Sequence, residues 1–206
     1  MSRYSLTTLL IAWCGSVALG LWCMLDYERT PAATIAAAAA WPADSRLVRD
    51  PDRPTLVMFV HPHCPCSRAS LHELAALASQ CGERVALRIV FVTPPGVAEG
   101  WERTDLYDAA SRIPGAQVCR DRDGVEAARF GATTSGESLL YAADARLLFH
   151  GGLTGSRGHE GDNAGRDAVT ALVETGRAEQ RSSAVYGCGL LNQCRQREEA
   201  GSLWKP

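Results

Sequence analysis

The sequence predicts an α/β domain carried behind one membrane-crossing helix. Three observations carry that reading. A charge-free apolar stretch lies near the start, from Tyr4 to Leu25. Beyond it, short β-branched runs alternate with segments of helical periodicity, as strands and helices do in layered α/β folds. Two cysteines, Cys64 and Cys66, fall where the first such run meets the first such helix.

The apolar stretch contains Leu9, Leu10, Ile11, Trp13, Val17, Leu19, Leu21, Trp22 and Leu25. As a helix it would extend roughly 33 Å at ~1.5 Å per residue, enough for a hydrocarbon core of about 30 Å. Arg3 precedes it, and Asp26 and Glu28 follow. The positive-inside rule then leaves its start in the cytoplasm and the rest of the chain outside. A cleaved signal peptide, cut after Ala18-Leu-Gly20, is the rival reading. Cys14 and Cys23 inside this segment read as small apolar residues. The expected organisation is a membrane anchor over 1–29, an Ala-rich linker over 30–44, an α/β domain over 45–178 and a Cys-containing tail over 179–206.

Within the domain, Thr55 to Val60 is continuously apolar or β-branched, as expected of a strand buried on both faces. Two prolines in His61 to Pro65 stop it. From Cys66 onward Leu71, Leu74, Ala75, Leu77 and Ala78 recur at helical spacing, with Arg68, His72 and Glu73 free to face outward. Val85 to Val92 is a second strand, ended by Pro94-Pro95-Gly96. Glu102 to Arg112 reads as a helix, Ala116 to Cys119 as a short strand, and Asp121 to Gly124 as a turn before a short helix, Val125 to Phe130. Glu137 to Tyr141 and Leu147 to His150 form a hairpin. Arg166 to Thr175 closes the domain as an amphipathic helix, with Ala168, Val169, Leu172 and Val173 on one face. The order is β-α-β-α-β-α-β-β-α.

Cysteines at a strand-to-helix join have a defined chemistry. The first turn of a helix offers free N–H groups and the positive end of the macrodipole, both of which favour a thiolate. A Cys64–Cys66 disulfide would close a small, strained ring and so be easily reduced. The residues therefore point to a reactive thiol or labile dithiol rather than a structural staple.

Strand, Cys-x-x-Cys, helix is the active site of the thioredoxin superfamily, and this chain resembles it with one residue fewer between the cysteines. The stretch His61-Pro-His-Cys-Pro-Cys-Ser67, with the later Ser-Arg-Gly-His and Gly-Asp-Asn-Ala-Gly pieces of 156–165, is similar to a thioredoxin-like bacterial family labelled RedB. The resemblance covers about residues 50 to 176 and implies fold and context more than mechanism. It implies Cys64 as attacking thiolate and Cys66 as resolving thiol. It also departs from the superfamily in one place. The cis-proline expected just before the hairpin strand is missing, and Gly136 stands near its position. Either Gly136 opens space for a metal or small ligand to reach Cys64, or it takes a backbone angle other residues cannot.

Other residues gather around this motif. His63 is a candidate acid, base or charge partner of the thiols. With His61 and both cysteines it could instead complete a soft set for copper or zinc. The glycine-rich loop from Gly151 to Gly165 is long for a compact domain, and such loops often serve function; alternatively Asp162 or Asn163 merely caps the last helix. Cys188 and Cys194 in the tail are disulfide candidates, with each other or with Cys81 or Cys119. A sharper reading makes Cys188 a resolving thiol or an extra metal ligand.

Composition narrows the partners. The 206 residues are 46 % hydrophobic and 21 % charged with a net charge of −2, so bulk charge gives no case for nucleic acid. Lys205 is the only lysine. The expectation is a single-pass protein of a bacterial inner membrane with its domain in the periplasm. It would exchange thiols and disulfides with other proteins through a Cys-Pro-Cys dithiol, with no cofactor. The alternative is a copper-handling protein for respiratory oxidase assembly.

Overall fold

A computed structural model describes residues 3–191, which divide into a unit ending at Thr30 and a unit beginning at Pro31. The first is one helix, α1 (Arg3–Arg29). Its apolar side chains, Trp13 and Trp22 among them, are exposed around the helix. Thr7–Arg29 is long and apolar enough to cross a membrane. A helix that is apolar all round suits a lipid environment.

The second unit is built on a five-stranded sheet in the order β3-β2-β1-β4-β5. The strands are β1 (Thr55–Val60), β2 (Ala86–Thr93), β3 (Ala116–Arg122), β4 (Glu137–Tyr141) and β5 (Leu147–Gly151). The first three run parallel, and β4 and β5 are antiparallel additions. The helices are α2 (Ser67–Cys81), α3 (Asp105–Ser111), α4 (Val125–Phe130) and α5 (Ala164–Thr175).

Strand alternation splits the core into two layers. Leu56, Met58 and Val60 of β1 face Leu71, Leu74 and Leu77 of α2, Leu106 of α3 and Val169 of α5. Val57 and Phe59 face Phe130 of α4 and Tyr141 of β4. All six residues of β1 are buried, which is why its sequence is continuously apolar. The central strand thus aims its last residue, and the turn after it, out of the middle of the sheet.

Two expected elements shift. The helix expected over Glu102 to Arg112 begins at Asp105. Thr104 is extended and its hydroxyl donates to the Pro62 carbonyl at 3.1 Å, while Glu102 is buried and ion-paired with Arg120. The strand expected over Ala116 to Cys119 continues to Arg122, because pairing with β2 runs on to Thr93. There Asp121 is buried, and its carboxylate accepts from the Glu126 and Ala127 N–H groups, starting α4.

The expected linker is not loose. The Ala38 N–H donates to Phe130, the Leu147 N–H to Ala39 and the Trp41 N–H to Ala145, at 2.8–3.1 Å. Trp41 sets its ring edge-on to Phe130 (5.0 Å) and Tyr141 (5.4 Å). Aromatic pairs of this kind add about 0.5–1.5 kcal/mol each beyond area burial, so residues 32–41 are part of the domain. The stretch Ile35 to Ala40 is not helical. The tail is likewise attached as far as it is described. The His150 N–H donates to Arg181, the Ser183 N–H to His150, and Val185 and Leu190 are buried.

Candidate active site

The turn after β1 is stitched by its own backbone. The Cys64 N–H donates to His61 and the Ser67 N–H to Cys64, both at 3.1 Å. Cys66 is the residue before α2, and Ser67 is the first residue within it. The four-residue window opened by Cys64 therefore ends in a serine hydroxyl, not a thiol. Ser67 Oγ lies 2.6 Å from Ser135 Oγ, and the His61 N–H donates to Ser135 Oγ at 2.7 Å. Ser135 thus ties the end of β1 and the start of α2 to the loop before β4.

The two cysteines differ in exposure. Cys64 is completely buried, whereas Cys66, already at the helix start, is half-buried. Cys64 borders a groove lined by Pro62, His63, Pro65, Arg68 and Thr104.

Cys188 completes the site. Its thiol hydrogen-bonds both Cys64 and Cys66, and its backbone N–H also bonds Cys64. The Cys188 and Cys66 thiols and the Ser67 hydroxyl hold the Cys64 thiol far below its ordinary value, against burial. At Cys66 the Cys188 bond pulls down, but the Cys64 thiolate and burial outweigh it and the thiol is pushed up. At Cys188 the bonds to Cys64 and Cys66 push the thiol strongly up, since it serves as donor. One negative charge, centred on Cys64, is therefore held by two neighbouring thiols. Cys81 and Cys119 stand apart, both raised by burial. The candidate pairing of Cys188 with either gives way to its place beside Cys64, and Cys194 lies outside the described residues.

The histidines divide. His61 is buried and its Nδ1 accepts from the His63 N–H at 3.2 Å, leaving the other ring nitrogen to carry the proton. Burial lowers its pKa, against the pull of Cys64. His63 is exposed, and its Nε2 lies 3.1 Å from the Trp101 carbonyl, its ring 4.3 Å from the Trp101 ring. His61 is the imidazole that feels the Cys64 charge, while His63 lines the groove that Cys64 borders. Trp101 clamps both rings, with His61 edge-on at 5.4 Å. Among the described residues no group of three or more His, Cys, Asp or Glu side chains is arranged to hold a metal ion.

Gly136 settles on the second of its two readings. Its φ is 88°, and a Cβ there would stand 2.7 Å from Ser70 Oγ of α2. Its N–H donates to the Phe59 carbonyl at 2.8 Å.

The glycine-rich loop reaches the thiols. Its far end is fixed by Glu73 of α2, which is 1 % exposed rather than outward-facing. Glu73 accepts from the Gly161 N–H (2.6 Å) and from Arg166 Nη1 (2.5 Å). Asn163 caps α5 by accepting from the Arg166 N–H at 2.8 Å. Arg157 in mid-loop donates to the Gly187 carbonyl at 2.6 Å, and its charge favours the Cys66 thiolate.

The same arrangement of strands and helices occurs in proteins of known structure. No protein-family model and no curated relative matches the sequence. Among solved structures, a hypothetical protein from Sinorhizobium meliloti 1021 matches at TM-score 0.60 and 18 % identity, over 78 % of this chain and 98 % of that one. An uncharacterized conserved protein from Geobacillus kaustophilus matches at TM-score 0.55 and 21 % identity, over 80 % of this chain and 91 % of that one. A thioredoxin-like protein from Aeropyrum pernix matches at TM-score 0.42 and 11 % identity, over 77 % and 97 %. The fold is thioredoxin-like: three parallel strands, an antiparallel pair, and the thiols at the carboxyl end of the central strand.

Proposed function

We propose that this protein is a membrane-tethered thiol–disulfide oxidoreductase whose domain works outside the cytoplasm, with Cys64 as attacking thiolate. The observation that carries the reading is the convergence of donors on Cys64. Two thiols, a hydroxyl and a backbone N–H all favour its charged form. A thiolate is the attacking species in disulfide exchange, and its availability near neutral pH sets the rate. A structural cysteine needs no such surroundings. Proteins carrying thiols or disulfides are the expected partners, and helix α1, charge-free from Tyr4 to Leu25, is the tether.

The sign of the pH dependence follows. Because the folded thiol is lowered from about 8.5, Cys64 remains a thiolate as pH falls below that value. Its share of folding stability is complete above about pH 8.5 and is lost as pH falls toward the folded value. Alkylation with iodoacetamide at graded pH, read by mass spectrometry, should give Cys64 a midpoint below 8.5 and Cys81 and Cys119 midpoints above it. A Cys64 midpoint at the free-thiol value would remove the proposal. For topology, a reporter active only in the cytoplasm should be silent when fused after Trp41. Activity there would place the domain on the other side of the membrane.

A further inference from the structure

Residues 187–190 lie antiparallel beside residues 133–135. The Ser135 N–H donates to the Cys188 carbonyl at 2.8 Å and the Leu190 N–H to the Thr133 carbonyl at 2.9 Å, and Thr134 bridges Gly189. The approach is closer than a side chain permits, since a Cβ on Gly187 would stand 1.9 Å from the Ser135 carbonyl oxygen. Arg157 holds the Gly187 carbonyl from the far side, and Leu190 is 1 % exposed. The segment is seated by backbone pairing, a glycine contact, an arginine and a buried leucine. What it delivers to Cys64 is the thiol and the N–H of Cys188.

Cys64 has two possible disulfide partners. Cys66 is two residues along, and the small ring it would close departs from relaxed disulfide geometry. Cys188 comes from a distant part of the chain, carries no such restriction, and already meets Cys64 by hydrogen bond. The fourth place of the window, where a thioredoxin-like dithiol has its second thiol, is the hydroxyl of Ser67.

We propose that Cys188, delivered by the 187–190 segment, is the resolving thiol, and that the oxidised protein carries a Cys64–Cys188 disulfide. The proposal rests on the exchange chemistry proposed above. The Cys64 thiolate attacks one sulfur of a substrate disulfide. That S–S bond breaks, a Cys64–substrate disulfide forms, and the other substrate sulfur leaves as a thiolate. With the charge on Cys64 gone, the Cys188 proton is no longer held and passes to the leaving thiolate. The Cys188 thiolate then attacks Cys64 Sγ, the second substrate sulfur departs and takes a proton from water, and Cys64–Cys188 is formed. The substrate has gained two electrons and the protein has lost two. Read backward, the same steps oxidise a substrate dithiol.

The test uses the purified full chain, reduced and then treated with glutathione disulfide. Products are mapped by proteolysis and mass spectrometry, with Cys66→Ser and Cys194→Ser variants to assign the sulfurs. The expected product links the Cys64 peptide to the Cys188 peptide and still forms in each of those two variants. Cys188→Ser should accumulate glutathionylated Cys64 at least tenfold over the parent chain. Gly187→Ala keeps every cysteine but drives the segment from Ser135, and should accumulate the same adduct. A disulfide confined to the Cys64–Cys66 peptide, with Cys188→Ser clearing its adduct as fast as the parent, would overturn the proposal and leave the oxidoreductase reading intact. If Cys64→Ser exchanges as fast as the parent, the oxidoreductase reading itself is what fails.

Discussion

Cys64→Ser should slow exchange with glutathione disulfide by about a thousandfold or more, because a serine hydroxyl at neutral pH supplies no comparable nucleophile. Rate measurement under pseudo-first-order conditions checks it. The loss is chemical rather than structural. Cys64 sits in a turn where its N–H donates to the His61 carbonyl and its carbonyl accepts from the Ser67 N–H, and those backbone bonds survive the substitution. The Ser variant should therefore still fold, losing only the share of stability that the thiolate's own bonds contribute. A rate reduced less than tenfold would mean that another thiol performs the attack, and half-exposed Cys66 would be the one to examine.

The second large effect is one of stability. Glu137 is fully buried at the start of β4. Its Oε2 accepts from the Thr133 and Thr134 N–H groups at 2.8 and 3.0 Å, and its Oε1 lies 2.6 Å from His150 Nε2. Glu137→Ala strands two backbone donors and an imidazole in the interior. Breaking such a buried charged contact costs about 3–5 kcal/mol, a large part of the roughly 5–15 kcal/mol that a domain of this kind has in total. Urea unfolding should show the midpoint fall accordingly, and Glu137→Gln, which keeps one acceptor, should lose less. The same change should speed alkylation of Cys188, because residues 133–135 are the ledge on which its segment rests. An alanine variant as stable as the parent would show that the carboxylate does not organise this loop.

Much of the architecture could be read before the structure. β1 was visible because burial on both faces makes a strand continuously apolar, and β4 and β5 because a polar turn separates them. The placement of Cys64 between strand and helix was equally legible, and the structure keeps it there. What could not be read was anything fixed by a partner distant in sequence. Glu73 looks like an outward-facing helix residue, since no local pattern reveals that Gly161, Asn163 and Arg166 will gather on its carboxylate. The start of α3 slipped by three residues because Thr104 is engaged by Pro62, on another element. Trp101 follows a run of turn residues and gave no sign that it would hold two imidazoles. Cys188 was the largest such case. The tail sequence left a disulfide, a resolving thiol or a metal ligand open for it, and only the docked segment shows which thiols it meets.

The seating of residues 187–190 also sets an order of assembly. A chain made from its amino end presents Cys64 and Cys66 well before Cys188 exists. The strand–helix pair around them draws on Leu56, Met58, Leu71 and Leu74, which lie close together in sequence and can associate early. The stitches of the chain ends form only when synthesis is nearly complete, among them the Ala32 N–H to Val185 and the Leu190 N–H to Thr133. Until then Cys64 lacks its principal donor and has only its near neighbours Cys66 and Ser67 to favour the thiolate. The complete reactive centre is therefore a late product of folding, acquired when the two ends of the domain close over a core already formed.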